Sequence, residues 1–208
     1  MRFSIIPIAV LSLLQTVSAV PASIFPRQSS NRNDLQNGAC KQFTLIFARG
    51  TEERTNLGSV GTPLAAALAK VLPGGAGDLA VQGVNYAADI RGAIFGGDPK
   101  GSQAMAKLVA KACPSTTVIL AGYSQGAQLV HNAISQMSKA TAKKVGAVVM
   151  FGDPKYGRAL GKGLNAKSKT FCNPGDQICK GGFNILPSHL TYGSDANAAA
   201  RFVKSRVT

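Results

Sequence analysis

The sequence predicts an α/β fold, a three-layer α/β/α sandwich with a central, mostly parallel sheet of about five strands. Short apolar runs rich in β-branched residues alternate along the chain with longer stretches of helical pattern, an order typical of parallel strands joined by crossover helices. The predicted strands are apolar throughout, which indicates a sheet covered by helices on both faces. The chain has 208 residues, 45% of them hydrophobic, and this size suits one domain with a full core.

The N-terminus has the features of a secretory signal. Arg2 supplies a positive charge, residues 5–14 are apolar, and residues 17–19 (Val-Ser-Ala) form a small-residue cleavage site. We therefore expect a secreted, extracellular protein, and no later apolar run is long enough to span a bilayer. The predicted segments are a signal peptide over 1–19, a pro-segment or disordered lead-in over 20–34, and one folded domain over 35–208.

The first half of the folded domain predicts two strands and two helices. Residues 43–47 (Phe-Thr-Leu-Ile-Phe) form an apolar run typical of a buried strand. Pro63 fits the first turn of a helix, so we predict a helix over 64–72, ended by Pro-Gly-Gly. A second strand over 79–84 is followed by an irregular glycine-rich segment. A helix is then predicted over 103–112, where apolar residues share one face.

The second half predicts three more strands and two more helices. The apolar runs that indicate strands cover 118–121, 145–151 and 169–172. The first of these strands leads into a helix that ends near Met137. A last helix is predicted over 196–204, with Asp195 as its N-cap because aspartate favours that position.

The segment Gly122-Tyr123-Ser124-Gln125-Gly126 matches the G-x-S-x-G pattern of a nucleophile elbow. A predicted strand precedes it and a predicted helix follows it, which is the context that this motif requires. The turn forces the serine into a strained conformation, and the flanking glycines remove side chains that would clash there. Ser124 is therefore the candidate nucleophile.

A serine nucleophile needs a base, and the base needs an acid that orients it. The chain has two histidines. His131 lies two helical turns after Ser124, about 10 Å along a rigid helix, and is read as structural or surface. His189, in an irregular segment after the last strand, is the candidate base. The candidate acid is Asp176, with Asp153, directly after a strand, as the alternative; the order Ser, Asp, His is that of α/β-hydrolases.

Two backbone positions are candidates for an oxyanion hole. Gln125 directly follows the nucleophile and begins a helix, where its N–H can donate to a developing oxyanion. Thr51 lies at the end of the first predicted strand, so its N–H can supply the second hydrogen bond, and its hydroxyl can add a third donor.

Apolar residues flank the candidate base and predict a substrate-binding surface at the mouth of the site. They are Phe183, Ile185, Leu186 and Leu190. The apolar residues 93–95 in the glycine-rich segment could form the facing wall. Ordinary packing beneath the loops is the alternative explanation.

Four cysteines in a secreted chain indicate two disulfides, with three possible pairings. Pairing Cys172 with Cys179 closes a loop of six residues that contains Asp176, and Cys40 then pairs with Cys113. The spacing does not suit a zinc site, and no metal or cofactor is expected.

The formal net charge is +14, and the lysines and arginines are scattered rather than clustered. This composition indicates a basic soluble protein, with weak attraction to anionic cell-wall surfaces as a sharper hypothesis. No motif supports binding to nucleic acid. We expect a monomer.

The chain resembles the fungal cutinases, which are small serine esterases of the α/β-hydrolase type. The similarity covers residues 40–206 in the order of the family. The matching segments are Ala-Arg-Gly-Thr-Glu (48–52), Asn-Leu-Gly (56–58), Gln-Gly-Val (82–84), Gly-Tyr-Ser-Gln-Gly-Ala (122–127), Phe-Cys-Asn-Pro-Gly-Asp-Gln-Ile-Cys (171–179) and His-Leu-Thr-Tyr-Gly (189–193).

The resemblance implies a nucleophile at Ser124, a base at His189, an acid at Asp176 and an oxyanion hole at Thr51 and Gln125. It also implies both disulfide pairings given above. Many relatives carry serine at the position of Thr51.

The resemblance further implies a cutinase-like catalytic domain that hydrolyses cutin-like polyesters and short-to-medium acyl esters. An acetyl or acetylxylan esterase of the same superfamily is the alternative enzyme. A non-catalytic secreted protein that binds cell walls is the alternative from another class, and a complete set of catalytic residues argues against it.

Overall fold

The computed structural model describes residues 31–208. The predicted signal peptide and most of the predicted lead-in lie outside the described residues. Within those residues, no helix is both long and apolar enough to cross a membrane.

A single sheet of five parallel strands forms the centre of the fold, in the order β2-β1-β3-β4-β5. The predicted fold class is confirmed. The strands are β1 (Phe43–Ala48), β2 (Leu79–Gly83), β3 (Thr117–Tyr123), β4 (Val145–Phe151) and β5 (Ser168–Phe171).

Helices cover both faces of the sheet. They are α1 (Gly58–Val71), α2 (Ile90–Ile94), α3 (Pro99–Lys111), α4 (Gln125–Gln136), α5 (Lys139–Ala142) and α6 (Ala196–Val207). One core lies between the sheet and the pair α1 and α6, and a second lies between the sheet and the pair α3 and α4. Because strand residues alternate between the two cores, β1, β3 and β4 are apolar on both faces, as the sequence predicted.

The strand order places a crevice at the carboxyl edge of the sheet. β2 lies on one side of β1, and β3 lies on the other side. The loops that leave β1 and β3 therefore diverge, and ligands in open α/β sheets bind at such a switch point. The segment after β1 contains Thr51, and the residue that follows β3 is Ser124.

The helix predicted over 64–72 begins earlier than expected, so Pro63 does not lie in its first turn. α1 starts at Gly58, and the carboxylate of Glu53 accepts hydrogen bonds from the backbone N–H (2.7 Å) and hydroxyl (2.6 Å) of Ser59. Glu53 thus satisfies donors at the start of the helix from outside it. Pro63 lies one turn further on, where it lacks the N–H that would bond the carbonyl of Ser59.

Two other helix ends also differ from the prediction. α3 begins at Pro99, because the side chain of Asp98 accepts a hydrogen bond from the N–H of Gly101 and caps the helix. Asp195 does occupy the N-cap position of α6, but its side chain makes no capping hydrogen bond, so the predicted capping is wrong. Burial raises the pKa of Asp195 above its usual value.

Residues 31–34, which the sequence assigned to the lead-in, pack against the domain. The backbone N–H of Asp34 donates to the carbonyl of Val81 (3.1 Å), and its carboxylate accepts from the Val81 N–H (2.9 Å). Asn33 forms an antiparallel bridge with Gln82. The predicted boundary at residue 35 is therefore too late, because these polar residues pair with the edge strand β2, which the sequence does not reveal.

Both expected disulfides are present. Cys40 is bonded to Cys113 and Cys172 to Cys179, with Cα–Cα distances of 5.8 and 6.2 Å. The first ties the segment before β1 to the segment before β3, and the second closes the loop after β5.

Candidate active site

Ser124 lies in the sharp turn between β3 and α4, with φ 55° and ψ −119°. A positive φ is strained for a residue with a side chain, and such strain is typical of a nucleophile elbow. The glycines on either side are required by space: a Cβ at Gly122 would lie 2.2 Å from the carbonyl oxygen of Gly126, and one at Gly126 would lie 2.0 Å from that of Ala48. These close backbone contacts therefore require glycine at both positions.

The structure brings Ser124, His189 and Asp176 together. His189 Nε2 lies 3.0 Å from Ser124 Oγ, and His189 Nδ1 lies 2.8 Å from Asp176 Oδ2. An ionised carboxylate can only accept, so Nδ1 carries the proton, and Nε2 is free to accept the proton of the serine hydroxyl. All three side chains are buried. The elbow, a loop after β5 and a short turn before α6 contribute one residue each.

Asp176 is stabilised as a carboxylate by three donors. Besides His189, the hydroxyl of Tyr192 donates to Oδ2 (2.6 Å) and the N–H of Ile178 to Oδ1 (2.9 Å). Burial alone would raise the pKa of Asp176, but the hydrogen bonds from His189, Tyr192 and Ile178 outweigh it and hold the pKa below its usual value. The site is therefore built to keep this carboxyl ionised.

Two tyrosines that the sequence analysis did not single out form hydrogen bonds to His189 and Asp176. The hydroxyl of Tyr192 accepts a hydrogen bond from the N–H of Asn173 (2.9 Å) while it donates to Asp176. Burial, and then the bond to Asp176, raise the pKa of Tyr192, so its hydroxyl remains a donor. Tyr123 donates to the backbone carbonyl of His189 (2.8 Å). Each tyrosine lies inside a segment that matches the family, and this was the available signal.

The alternative acid, Asp153, has a different partner. Its Oδ2 lies 2.8 Å from Nε2 of His131, and its Oδ1 accepts from the N–H of Lys155 (2.8 Å). The structure thus contains two His–Asp pairs, and only the pair that includes His189 reaches Ser124.

The two candidate oxyanion residues lie together. Thr51 Oγ1 accepts a hydrogen bond from the side-chain Nε2 of Gln125 (3.0 Å), and the same nitrogen donates to the carbonyl of Asp89 (2.8 Å). Because this bond occupies an acceptor site of the Thr51 hydroxyl, its proton remains available to another acceptor. Gln125 is also the first residue of α4, so its backbone N–H has no partner within the helix.

The turn that contains Thr51 is fixed by charged side chains. The carboxylate of Glu53 accepts from the N–H of Gly50 (2.7 Å), and the guanidinium of Arg49 donates to the backbone carbonyls of Glu53 (2.6 Å) and Tyr86 (2.7 Å). These hydrogen bonds fix the backbone of the turn, and a fixed backbone is what an oxyanion hole at Thr51 would require.

A cavity of about 1090 Å³ opens above Ser124 and His189. Of the apolar residues predicted at its mouth, Phe183, Ile185 and Leu190 line it, and Phe183 is 79% exposed. Leu186 does not line the cavity; it contributes its carbonyl, which accepts from the N–H of His189 (2.8 Å). On the facing wall the apolar lining residues are Ile90, Ala93 and Ile94.

A sequence model described as "Cutinase" matches residues 39–207. The chain belongs to the cutinase family. A curated cutinase of Monilinia fructicola is 48% identical over 174 residues, which cover 82% of this chain and 86% of that one. The predicted family and enzyme class, a serine carboxylic-ester hydrolase, are thereby confirmed.

Solved structures agree with this assignment. A Trichoderma reesei cutinase in complex with a phosphonate inhibitor superposes with a TM-score of 0.79 at 40% identity, covering 86% of this chain and 81% of that one. An acetylxylan esterase superposes with a TM-score of 0.58 at 22% identity, covering 82% of this chain and all (100%) of that one. The second match shows a shared fold alone.

Proposed function

We propose that this cutinase hydrolyses cutin-like polyesters and short-to-medium acyl esters, with Ser124 as nucleophile, His189 as base and Asp176 as the acid that orients the base. The observation that carries the proposal is the continuous line of hydrogen bonds from Ser124 Oγ through His189 to Asp176, at the floor of an apolar cavity. Thr51 and Gln125 are proposed to stabilise the oxyanion.

The reaction follows from these positions. Ser124 Oγ attacks the ester carbonyl carbon while its proton passes to His189 Nε2, and the ionised Asp176 stabilises the imidazolium that forms. The carbonyl oxygen becomes an oxyanion and accepts hydrogen bonds from the N–H groups of Thr51 and Gln125 and from the Thr51 hydroxyl. His189 then protonates the leaving alcohol as the C–O bond breaks. Water, deprotonated by His189, attacks the acyl-serine and releases the acid.

The cavity supports a preference for acyl groups longer than acetyl. Each CH₂ group that its apolar walls bury contributes about 0.8 kcal/mol, so the two extra CH₂ groups of butyrate can raise kcat/KM up to about 15-fold over acetate. The exposed apolar rim, with Ile94 60% and Leu190 63% exposed, also leaves the site accessible to a polymer surface. An acetylxylan esterase would gain little from such walls.

The test compares p-nitrophenyl acetate and butyrate, a polyester film and acetylated xylan. We expect butyrate to be hydrolysed faster than acetate and the film to be degraded. Strong activity on acetylated xylan, with none on butyrate or the film, would instead assign the chain to acetylxylan esterases. A phosphonate ester should label the native protein covalently and leave Ser124→Ala unlabelled; labelling of that variant would remove Ser124 from the mechanism.

We further propose that the protein is secreted, acts as a monomer and is weakly attracted to anionic cell-wall surfaces. The features in support are the predicted signal peptide over 1–19 and the net charge of +14. Size-exclusion chromatography tests the monomer, and retention on an acidic polysaccharide that salt does not weaken would contradict an electrostatic attraction.

A further inference from the structure

Two cations line the cavity on the turn that follows β4. Lys155 and Arg158 belong to the cavity wall, and the N–H of Arg158 donates to the carbonyl of Lys155 (3.0 Å), which closes the turn. Neither side chain forms an ion pair with any residue of 31–208. The Nζ of Lys155 donates to the neutral Oδ1 of Asn132 (2.6 Å), which leaves further donors on the ammonium group.

The two charges are close enough to affect each other. Burial lowers the pKa of Lys155, the positive charge of Arg158 lowers it further, and the negative charge of Asp153 acts in the opposite direction. The carboxylate of Asp153 on this turn is buried and hydrogen-bonded to His131, and its single negative charge offsets only part of the two positive charges. An anion in the cavity would therefore meet a turn of net positive charge, whose two cations form no ion pair within residues 31–208.

These cations lie on the same side of Ser124 as the base. The backbone N–H of Ser124 donates to the carbonyl of Phe151 at the end of β4 (2.9 Å), so the turn begins beside the nucleophile. The ring of His189 lies against Gly152, where a Cβ would be 2.7 Å from His189 Cε1. Thr51, after β1, lies on the other side of β3. The leaving alcohol must be next to His189, which protonates it, and it therefore extends towards the cationic turn.

We propose that Lys155 and Arg158 form a subsite for a carboxylate at the far end of the leaving alcohol, an inference that rests on the function proposed above. Asn132, which holds the Lys155 ammonium, is eight residues along α4 from Ser124, about 12 Å at 1.5 Å per residue. An extended alkyl chain advances about 1.3 Å per C–C bond, so about nine carbons span this distance.

The chemistry of a hydroxy-acid polyester explains why a carboxylate is present there. Hydrolysis of one ester bond leaves the acyl fragment with a new carboxylate end. When that fragment binds again at its last ester bond, the carboxylate belongs to the alcohol that will leave. The subsite would thus favour removal of one hydroxy acid at a time from a chain end. Glu52, which lines the cavity beside Thr51, disfavours a carboxylate on the acyl side.

The experiment compares the butyrate ester of ω-hydroxydecanoic acid with the butyrate ester of its neutral amide, by release of butyrate. The ratio of the two kcat/KM values cancels effects common to both substrates. We expect the acid to be preferred about fivefold at low salt, as two partly exposed cations allow, with the ratio approaching one at high salt. A ratio of one or below at low salt would overturn the proposal.

Two matched charge-reversal variants test whether the preference for the acid substrate depends on the cationic turn. Arg158→Glu should bring the ratio below one, whereas Lys70→Glu, an equal change in net charge on the exposed side of α1, should leave it unchanged. The same ratio in both variants would overturn the subsite, as would an equal preference when the carboxylate is placed on the acyl side. If neither butyrate ester is hydrolysed, the proposed function itself fails, which is a different result.

Discussion

Tyr192→Phe removes one hydroxyl from the centre of the candidate site and leaves the ring in place. That hydroxyl donates to Asp176 Oδ2 (2.6 Å) and accepts from the N–H of Asn173 (2.9 Å). Tyr192 is fully buried, so water does not readily replace the lost group. Asp176 keeps its bonds from His189 and Ile178, which makes the variant a test of one donor among three.

The expected loss depends on pH because the partner is a carboxylate. A hydrogen bond to a charged group contributes about 1.5–3 kcal/mol, so the free energy of unfolding should fall by about 2 kcal/mol at neutral pH. The pKa of Asp176 is lowered in the folded state. Its stabilising contribution is therefore complete above the unfolded pKa of about 3.9 and is lost as the pH falls through the folded pKa. The difference in the free energy of unfolding between variant and native protein should therefore shrink as the pH falls through the same range.

Thermal unfolding at pH values from neutral to strongly acidic measures this difference. About 2 kcal/mol corresponds to a decrease in Tm of about 4–8 °C for a domain of this size. Tyr123→Phe is the matched control, because its hydroxyl donates to the neutral carbonyl of His189 (2.8 Å). The free energy of unfolding of this control should fall by about 1 kcal/mol at every pH. Equal losses for Tyr192→Phe at neutral and acidic pH would refute the assigned role of the carboxylate.

Three further predictions concern the other parts of the site. Asp176→Asn should lower kcat by several orders of magnitude and Asp153→Asn only mildly, and the reverse ranking in steady-state kinetics would exchange their roles. Thr51→Val should lower kcat about 10²-fold by removing an oxyanion donor, whereas Thr51→Ser should retain most activity; equal rates for the two variants would exclude the hydroxyl from catalysis. Reduction of the Cys172–Cys179 disulfide should abolish esterase activity at temperatures where circular dichroism still shows a folded domain, and full activity after reduction would mean that this loop does not orient the acid.

The strands were predictable because their signal is local. β4 occurs over the predicted residues 145–151, since a strand buried on both faces is apolar throughout. Helix starts were less predictable when the group that satisfies the first N–H groups lies outside the helix. Glu53 does this for α1 and allows it to start at Gly58, ahead of Pro63, which the sequence analysis placed in the first turn. Asp98, directly before Pro99, was a local signal that the prediction of α3 did not use.

The hydrogen bond from Tyr192 to Asp176 could not be predicted from the separate sequence motifs. Tyr192 follows Asp176 by 16 residues, and its hydroxyl meets the carboxylate only because a disulfide loop and the turn before α6 fold back on the same sheet edge. The side-chain contact of Gln125 was equally unpredictable, although its place directly after Ser124 predicted a role for its backbone N–H. Its side-chain bond to Thr51 depends on how far apart the loops after β1 and β3 lie.

The choice between Asp153 and Asp176 depends on how His189 packs, which the sequence alone does not show. Asp153 follows the strand next to the elbow and looks closer to Ser124 than Asp176, which follows a strand one further away. Proximity along the sheet does not decide which aspartate contacts His189. Gly152 has a φ of 54°, and because it lacks a Cβ, the ring of His189 fits against it. His189 occupies the space beside the strand end, and Asp153 instead points towards α4 and pairs with His131. Asp176, on the loop after β5, reaches Nδ1 of His189, which is the ring nitrogen that does not face Ser124.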